Sequence, residues 1–310
     1  MGDCRLPDRQ SRPPPQQTHW PARLPRQETA SITIENSRKP RAPCMPTRSR
    51  KKDKANEFSL IPERKLLELY SWTVRCRLLG ELLEGVHRSA SPLDLEAASV
   101  AVCLDLKNGD RVFTTGQEFL PAYVRARNLA GAMQVLREPA ASVAVRLSEA
   151  LEAARAFKQA KTDHLVAVFC AGAEGRSQAW KKALRVADAE TLPVIFVRIL
   201  ESGSEISGHA EHGFPAIPAD GHDVVAIYRV ASESFAHARM GHGATLIECI
   251  PWALAGEDGN DAVLNLERFL TPRGIATAST KAGVKAGFAR VLREWSQPGK
   301  GRKATRQRSR

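Results

Sequence analysis

The sequence of 310 residues contains no run of 18 apolar residues, which excludes a membrane-spanning helix of ordinary length. Its N-terminus has no apolar core of the kind found in signal peptides, so we expect no secretory leader. The six cysteines form no CxxC pair, and this spacing is typical neither of a disulfide framework nor of a zinc site. We therefore expect reduced thiols and a cytoplasmic protein without membrane contact.

Several catalytic signatures are also missing. The chain contains neither GxGxxG nor a Walker Lys-Ser/Thr, and a hydrolase triad has no anchor because no GxSxG elbow is present. His209 and His212 lie three apart, but in a Gly-rich stretch that does not favour a shared helix face. The histidines in the last third of the sequence are widely spaced, and their spacing does not predict a metal site. They are His209, His212, His222, His237 and His242.

The positive charge lies in the ends of the chain. The formal charge is +12, of which residues 1–55 carry +8 and residues 297–310 carry +6, so residues 56–296 carry −2. Residues 1–55 also hold nine of the nineteen prolines and few aliphatic residues. We predict disordered basic tails at 1–55 and 297–310 around one folded domain over 56–296. Weak nucleic-acid contact through the tails is an alternative role, and a mitochondrial transit peptide is disfavoured by Asp3, Asp8 and the prolines.

The core alternates strands with helices. Leu165–Cys170 is a continuous apolar run, typical of a strand buried on both faces, and a helix over 177–188 and a strand over 193–197 complete a crossover unit. Another buried strand is predicted over 245–250. Helices are predicted over 63–85, 93–106, 147–161, 223–241, 262–270 and 281–295. This order indicates an α/β fold with a mainly parallel sheet flanked by helices.

Ligands of such sheets bind beyond the carboxyl ends of the strands, where two segments are visible. Gly172 and Gly175 could let backbone N–H groups cradle a phosphate, but a tight turn built of small residues is the favoured interpretation. Glu201 could aim a carboxylate at a metal, although an ordinary loop acid is favoured. Cys170 precedes a helix, which could lower its pKa, but a buried structural thiol is favoured.

Other charged residues near these segments are candidates of lower rank. The acids closest in sequence to the two strand ends are Glu174, Asp188 and Glu201. Arg185 and Arg198 could contact a phosphate, but we interpret both as solvent-facing surface charges.

Four stretches resemble the alpha subunit of thiamine-diphosphate-dependent 2-oxo-acid dehydrogenases, from the first component of the pyruvate, branched-chain and acetoin dehydrogenase complexes. The helix at 63–85 and the segment 93–113 also resemble the opening of that subunit. Residues 164–197 resemble its cofactor-binding segment, in which a strand ends in GDG, a helix reads EALN and LPVIFV leads into ENN. The stretches 213–228, 238–248 and 261–274 resemble its VDGNDV, AR-x-G-x-GPTLIE and DPI…LE-x-L segments. The similarity is colinear over most of 60–296.

The differences from the family fall on its cofactor site. In the family, the GDG aspartate and the ENN asparagine ligate the magnesium ion that holds the cofactor diphosphate. Here the GDG positions are Ala171, Gly172 and Ala173, and Glu201 replaces the asparagine. A Tyr-Arg pair that contacts the diphosphate falls on Gly116-Gln117, and the family's Gly-rich, His-containing loop and its HGHS loop are missing.

The resemblance implies the three-layer thiamine-diphosphate-binding fold, with thiamine diphosphate and Mg²⁺ as the expected cofactors and Ala171, Gly172, Ala173 and Glu201 as positional equivalents of the cofactor-binding residues. No catalytic or metal-ligating residue is assigned. The favoured interpretation is a catalytically degenerate member, a pseudoenzyme that binds a beta-type dehydrogenase subunit or forms a homo-oligomer. The alternatives are an active decarboxylating 2-oxo-acid dehydrogenase with non-standard cofactor contacts, and a protein that associates with nucleic acid or an anionic surface through its tails.

Overall fold

The computed structural model describes residues 61–83, 92–115, 118–137, 141–201, 213–251 and 261–296. The two predicted tails lie outside these residues, as do Gly116, Gln117, His209 and His212. The domain boundaries at 55 and 297 therefore remain predictions. Among the described residues, no helix combines the length and the apolar character needed to cross a bilayer.

The described residues form helices and five short strands in alternating order. The helices are α1 (Glu63–Leu83), α2 (Pro92–Cys103), α3 (Phe119–Ala126), α4 (Leu129–Arg137), α5 (Val143–Gln159), α6 (Gln178–Ala189), α7 (Val224–Arg239), α8 (Ala262–Leu270) and α9 (Ala278–Ser296). The strands are β1 (Arg111–Thr114), β2 (Val166–Ala171), β3 (Val194–Ile199), β4 (Ala216–Asp220) and β5 (Thr245–Ile250). Short 3₁₀ turns occupy Gly172–Arg176 and Thr271–Arg273.

The five strands form one sheet in the order β1-β2-β3-β5-β4, and all four pairings are parallel. Every residue of β2, β3 and β5 is buried, because helices cover both faces of these central strands. The predicted α/β fold with a parallel sheet is confirmed.

The sheet separates two apolar cores, which makes the fold three-layered. Along β2, Ala167 and Phe169 pack into a core shared with α1, α2, α3, α7, α8 and α9. The alternate residues Val166 and Val168 pack into a second core with α5 and α6. This alternation follows from the two-residue period of a strand, and it explains why these strands are apolar throughout.

Side-chain caps fix where several helices begin. Ser177 accepts a hydrogen bond from the Trp180 amide at 3.1 Å, and Asp223 accepts two at 2.9 Å, from the amides of Val225 and Ala226. Such caps satisfy backbone donors that have no partner inside the helix. They fix the start of α6 just after the 3₁₀ turn that follows β2, and the start of α7 shortly after the carboxyl end of β4.

The sequence patterns missed four elements: β1, β4, α3 and α4. Strand β1 has only four residues, and β4 is a half-exposed edge strand that contains Pro218, so neither forms a continuous apolar run. Two predicted boundaries also shift, because α2 ends at Cys103 rather than near Leu106 and α5 begins at Val143 rather than at Leu147.

Candidate functional site

The carboxyl ends of β2 and β3 lie side by side, and they hold the residues that the sequence identified. Ala171 pairs with Ile199 in the ladder, so Gly172 and Glu201 follow the two neighbouring ends. A Cβ atom at Gly172 would stand 3.5 Å from Glu201 Oε1. Ala171 is buried, whereas Ala173 is exposed. The structure brings these positions together, and their role in binding a cofactor remains a prediction.

The turn after β2 is tight and is closed by its own chain. Gly172 has a φ of 62°, and Ser177 N donates to Glu174 O at 3.0 Å. The Ser177 hydroxyl already caps the first turn of α6. Gly175 lies so close to Arg198 that a Cβ atom would stand 2.6 Å from its Nε atom. These contacts agree with the tight-turn interpretation, because close backbone approach requires small residues here.

The carboxylate of Glu201 faces an arginine. Arg176 Nη2 lies 3.7 Å from Glu201 Oε2, and both side chains are more than half exposed. An exposed pair of this kind contributes little to stability. Glu201 therefore has the surroundings of a surface acid whose charge is partly offset by its neighbour.

Arg198 is not the surface charge that the sequence predicted. Its side chain is only 9% exposed, and Nη1 donates to Oε1 of the fully buried Glu248 at 3.0 Å. The two residues are direct partners on β3 and β5, so they share one face of the sheet. The sequence did contain a signal for this pair, because the apolar strands β3 and β5 each carry one charged residue and the two charges have opposite sign. Arg185, in contrast, is exposed on α6 as predicted.

Cys170 has the buried environment of a structural thiol. Burial is the main cause that raises the pKa of its thiol to about 12, and the nearby carboxylates of Glu174 and Glu118 also raise it. A hydrogen bond with Thr115 and the charge of Arg198 lower the pKa, but by less. The alternative of a reactive thiol with a lowered pKa is wrong. These neighbours form a polar cluster behind the turn, and sequence reasoning missed Glu118 because it follows the short strand β1.

A second charged cluster lies where β4 ends and α8 begins. Arg77 donates to both carboxylate oxygens of Glu96, which is buried, and contacts both oxygens of Asp261 at 2.9 and 3.0 Å. His222, only 2% exposed, is near enough to influence the charge of Glu96. Burial raises the pKa of Glu96 to about 7, although Arg77 opposes this shift. The hydrogen bonds of the cluster tie α1 and α2 to the start of α8.

The other candidate ligands do not converge. Asp188 lies in the last turn of α6 beside Gly213, so it is far from Glu174 and Glu201 at the opposite end of that helix. His222 and His237 stand at opposite ends of α7, whose 16 residues span about 24 Å. In the part of the chain that the structure describes, no three His, Cys, Asp or Glu side chains form a ligand set for a metal ion.

The residues present do not fit a magnesium diphosphate group. Mg²⁺ requires several oxygen ligands at short distance, and diphosphate adds further negative charge. Among Ala171, Gly172, Ala173 and Glu201, only the glutamate offers a side-chain oxygen, and it already faces Arg176. The buried Arg198 packs against Gly175 of this turn, but its guanidinium charge is already paired with Glu248.

Comparisons with known proteins give one distant relative by sequence. The chain is similar to the alpha subunit of acetoin:2,6-dichlorophenolindophenol oxidoreductase from Bacillus subtilis (strain 168), with 23% identity over 246 residues. This match covers 66% of the chain and 73% of the relative. No protein-family model matches the chain. The chain is therefore weakly but measurably related to an acetoin dehydrogenase alpha subunit.

Among solved structures, the chain is similar to transketolase from Campylobacter jejuni subsp. jejuni NCTC 11168, with a TM-score of 0.45 and 15% identity. The match covers 75% of the chain but 49% of the transketolase, so the chain spans about half of that enzyme's length.

Proposed function

We propose that this chain is a catalytically degenerate relative of the alpha subunit of thiamine-diphosphate-dependent 2-oxo-acid dehydrogenases, and that it acts by binding a partner subunit. The distant similarity to an acetoin dehydrogenase alpha subunit and the colinear motifs support the family assignment. The parallel sheet with helices on both faces is consistent with it.

The observation that carries the proposal is the chemistry of the turn between β2 and α6. The resemblance puts two magnesium ligands at positions 172 and 201. The chain has Gly172, which lacks a side chain, and Glu201, which faces Arg176 at 3.7 Å. One partly neutralised carboxylate is a weak site for a cation that prefers octahedral oxygen ligands.

The proposed partner is a beta-type dehydrogenase subunit, and a second copy of this chain is the alternative. In the family, the cofactor lies between two subunits, so a fold that has lost its cofactor ligands could keep its surface for assembly. Affinity purification of the chain from its native cells, with identification of what co-purifies, tests this role. We expect a beta-type subunit in stoichiometric amount, and recovery of only ribosomal or nucleic-acid material would contradict the proposal.

Calorimetric titration with thiamine diphosphate and Mg²⁺ tests the degeneracy separately. We expect no binding at micromolar concentrations, either for the chain alone or for its complex with the partner. Micromolar binding, or turnover of pyruvate or a branched-chain 2-oxo acid with a dye acceptor, would instead establish an active enzyme with non-standard cofactor contacts. The assembly result and the cofactor result are independent, so each part of the proposal can fail alone.

A further inference from the structure

Two imidazole rings face each other at the carboxyl-terminal end of α7, outside both charged clusters described above. His237 lies in the last turn of the helix, and His242 lies three residues beyond Arg239, where α7 ends. Their ring centroids are 5.1 Å apart, and the ring planes make an angle of 79°.

The helix end itself brings these rings together. Gly241 adopts a φ of 81°, which reverses the chain after the C-cap residue Met240. The Gly241 amide donates to Ala238 O at 3.0 Å, and the His242 amide donates to His237 O at 3.2 Å. This pair of hydrogen bonds is the Schellman motif, which brings the side chains of its two outer residues, here His237 and His242, into contact. An apolar pair usually occupies those positions, whereas here both carry an imidazole.

The electrostatics at this end of α7 favour a cation. The carboxyl terminus of a helix carries a partial negative charge. The nearby positive charge of Arg239 is offset, because its guanidinium contacts the buried carboxylate of Asp110 at 2.7 and 3.2 Å. Nδ1 of His237 is shielded from solvent and has no hydrogen-bond partner among the described residues. Because shielded polar atoms in proteins almost always have a partner, a ring nitrogen without one indicates a site for a ligand.

The ring separation also fits a shared metal ion. With metal–nitrogen bonds of about 2.1 Å and a tetrahedral angle, two imidazole centroids bound to one ion lie about 5 Å apart. Imidazole is a good ligand for Zn²⁺, Ni²⁺ and Cu²⁺ and a poor one for Mg²⁺.

We propose that His237 and His242 bind a late first-row divalent cation, of which Zn²⁺ is the representative. One ring nitrogen from each histidine holds the ion, and water completes its coordination from the side of the exposed His242, since the described residues provide no third ligand there. The ion would link the last turn of α7 to the turn that leads into β5. This site is independent of the proposed function, and it does not involve Gly172 or Glu201.

Titration of the chelator-treated full chain with ZnCl₂ at pH 7.5, followed by calorimetry, tests the proposal. We expect one site per chain whose Kd increases at least tenfold in His237→Gln and in His242→Gln. His164→Gln is the matched control, because His164 is also partly exposed but faces Phe157 and Asp110, and its Kd should equal that of the unaltered chain. Circular dichroism establishes that each variant is folded, and His242→Ala is a second variant outside any helix.

A spectroscopic readout distinguishes this pair from any other histidines of the chain. With one equivalent of Cu²⁺, the electron paramagnetic resonance spectrum should show coupling to two imidazole nitrogens, and each substitution should remove one of them. The proposal is overturned if the unaltered chain binds no Zn²⁺ at millimolar concentration, or if both Gln variants bind it as tightly as the unaltered chain.

Discussion

At the scale of single residues, two buried ion clusters distinguish this chain from an ordinary α/β core. Arg198 and Glu248 occupy facing positions of β3 and β5, and Arg77 joins Glu96 to Asp261. A charge that is removed from water needs a partner of opposite sign, or it shifts to its neutral form. Both buried carboxylates have a close arginine, Arg198 for Glu248 and Arg77 for Glu96, yet burial still raises the pKa of Glu96 to about 7.

The raised pKa of Glu96 predicts a specific pH dependence of stability. Between about pH 4.5 and 7 the folded chain keeps a proton on Glu96 that the unfolded chain has released, because an unperturbed glutamate has a pKa of about 4.3. The free energy of unfolding should therefore fall as pH rises through this window, by roughly 2–3 kcal/mol. In Glu96→Gln this contribution to the slope should vanish, as measured by urea unfolding at pH 5 and pH 7.5.

One neighbour of Glu96 and one control variant decide how this measurement is interpreted. Burial alone would raise the pKa of Asp261, but its hydrogen bonds with Arg77 and the α8 amides lower it overall. The stability that ionised Asp261 contributes is therefore lost only below about pH 4, outside the window in which Glu96 titrates. Glu68→Gln is a matched control, because Glu68 is part-exposed and bonds Lys65 on the surface. An unchanged pH slope in Glu96→Gln would show that Glu96 is ionised throughout the window.

The buried pair of β3 and β5 should be costly to break from one side. We expect Arg198→Met to destabilise the chain by about 3–5 kcal/mol, because Glu248 would keep its buried charge without the guanidinium. The double variant Arg198→Met with Glu248→Met should recover most of this loss, since an apolar pair of similar size can replace a buried ion pair. Urea midpoints of the single and double variants check this, and equal losses in both would contradict it.

At the scale of elements, helix caps decide where the helices meet the strand ends. Asp223 begins α7 directly after β4, and Asp261 begins α8 while it also holds Arg77. Each of these aspartates thus ends the loop before its helix and caps that helix. Asp261 in addition belongs to the cluster of Arg77 and Glu96. The turn between β2 and α6 is fixed in a similar way by Ser177 and by the close approach of Gly175 to Arg198.

Loss of the α7 cap has a predictable effect. Asp223→Ala removes the acceptor of two amide hydrogen bonds, and we expect a loss of about 1 kcal/mol in the free energy of unfolding. Asp223→Asn keeps an acceptor oxygen and should stay within a few tenths of a kcal/mol of the unaltered chain. Thermal unfolding of the three proteins provides the comparison, and equal losses in both variants would assign the effect to charge rather than to capping.

At the scale of the whole molecule, the net positive charge is concentrated in two terminal segments that lie outside the described residues. The segments 1–55 and 297–310 carry +14 together, whereas residues 56–296 carry −2. Binding of a polyanion through Lys and Arg displaces counterions and depends steeply on salt. Any affinity of this protein for nucleic acid should therefore belong to those segments and not to the folded sheet.

Heparin chromatography tests this separation. We expect the full chain to bind at low salt and a chain lacking residues 1–55 and 297–310 to elute at a much lower salt concentration, because the net charge falls from +12 to −2. Deletion of 297–310 alone should give an intermediate position. Elution of the shortened chain together with the full chain would place a basic binding surface on the folded core.

Sequence alone determined the alternation of strands and helices and the parallel, buried character of the central sheet. Continuous apolar runs such as Leu165–Cys170 need a helical layer on both sides, so the layered fold followed from composition and order. The same patterns placed Gly172 and Glu201 after the carboxyl ends of two strands, and the structure shows that these two strands are neighbours. Strand β4 escaped prediction because an exposed edge strand with a proline lacks an apolar run.

Only the tertiary structure decided the state of the charged residues. Whether Arg198 is solvated or buried depends on Glu248, which lies 50 positions away on β5. The single charge in each strand hints at a pair, but only the strand register shows that the two residues face each other. The same holds for Arg77, which contacts Asp261 across 184 positions of the sequence. It also holds for Cys170, because burial raises the pKa of its thiol, whereas a nearby helix start alone would favour a lower pKa. Local sequence sets periodicity and caps, whereas burial and charge pairing are set by contacts that exist only after the chain has folded.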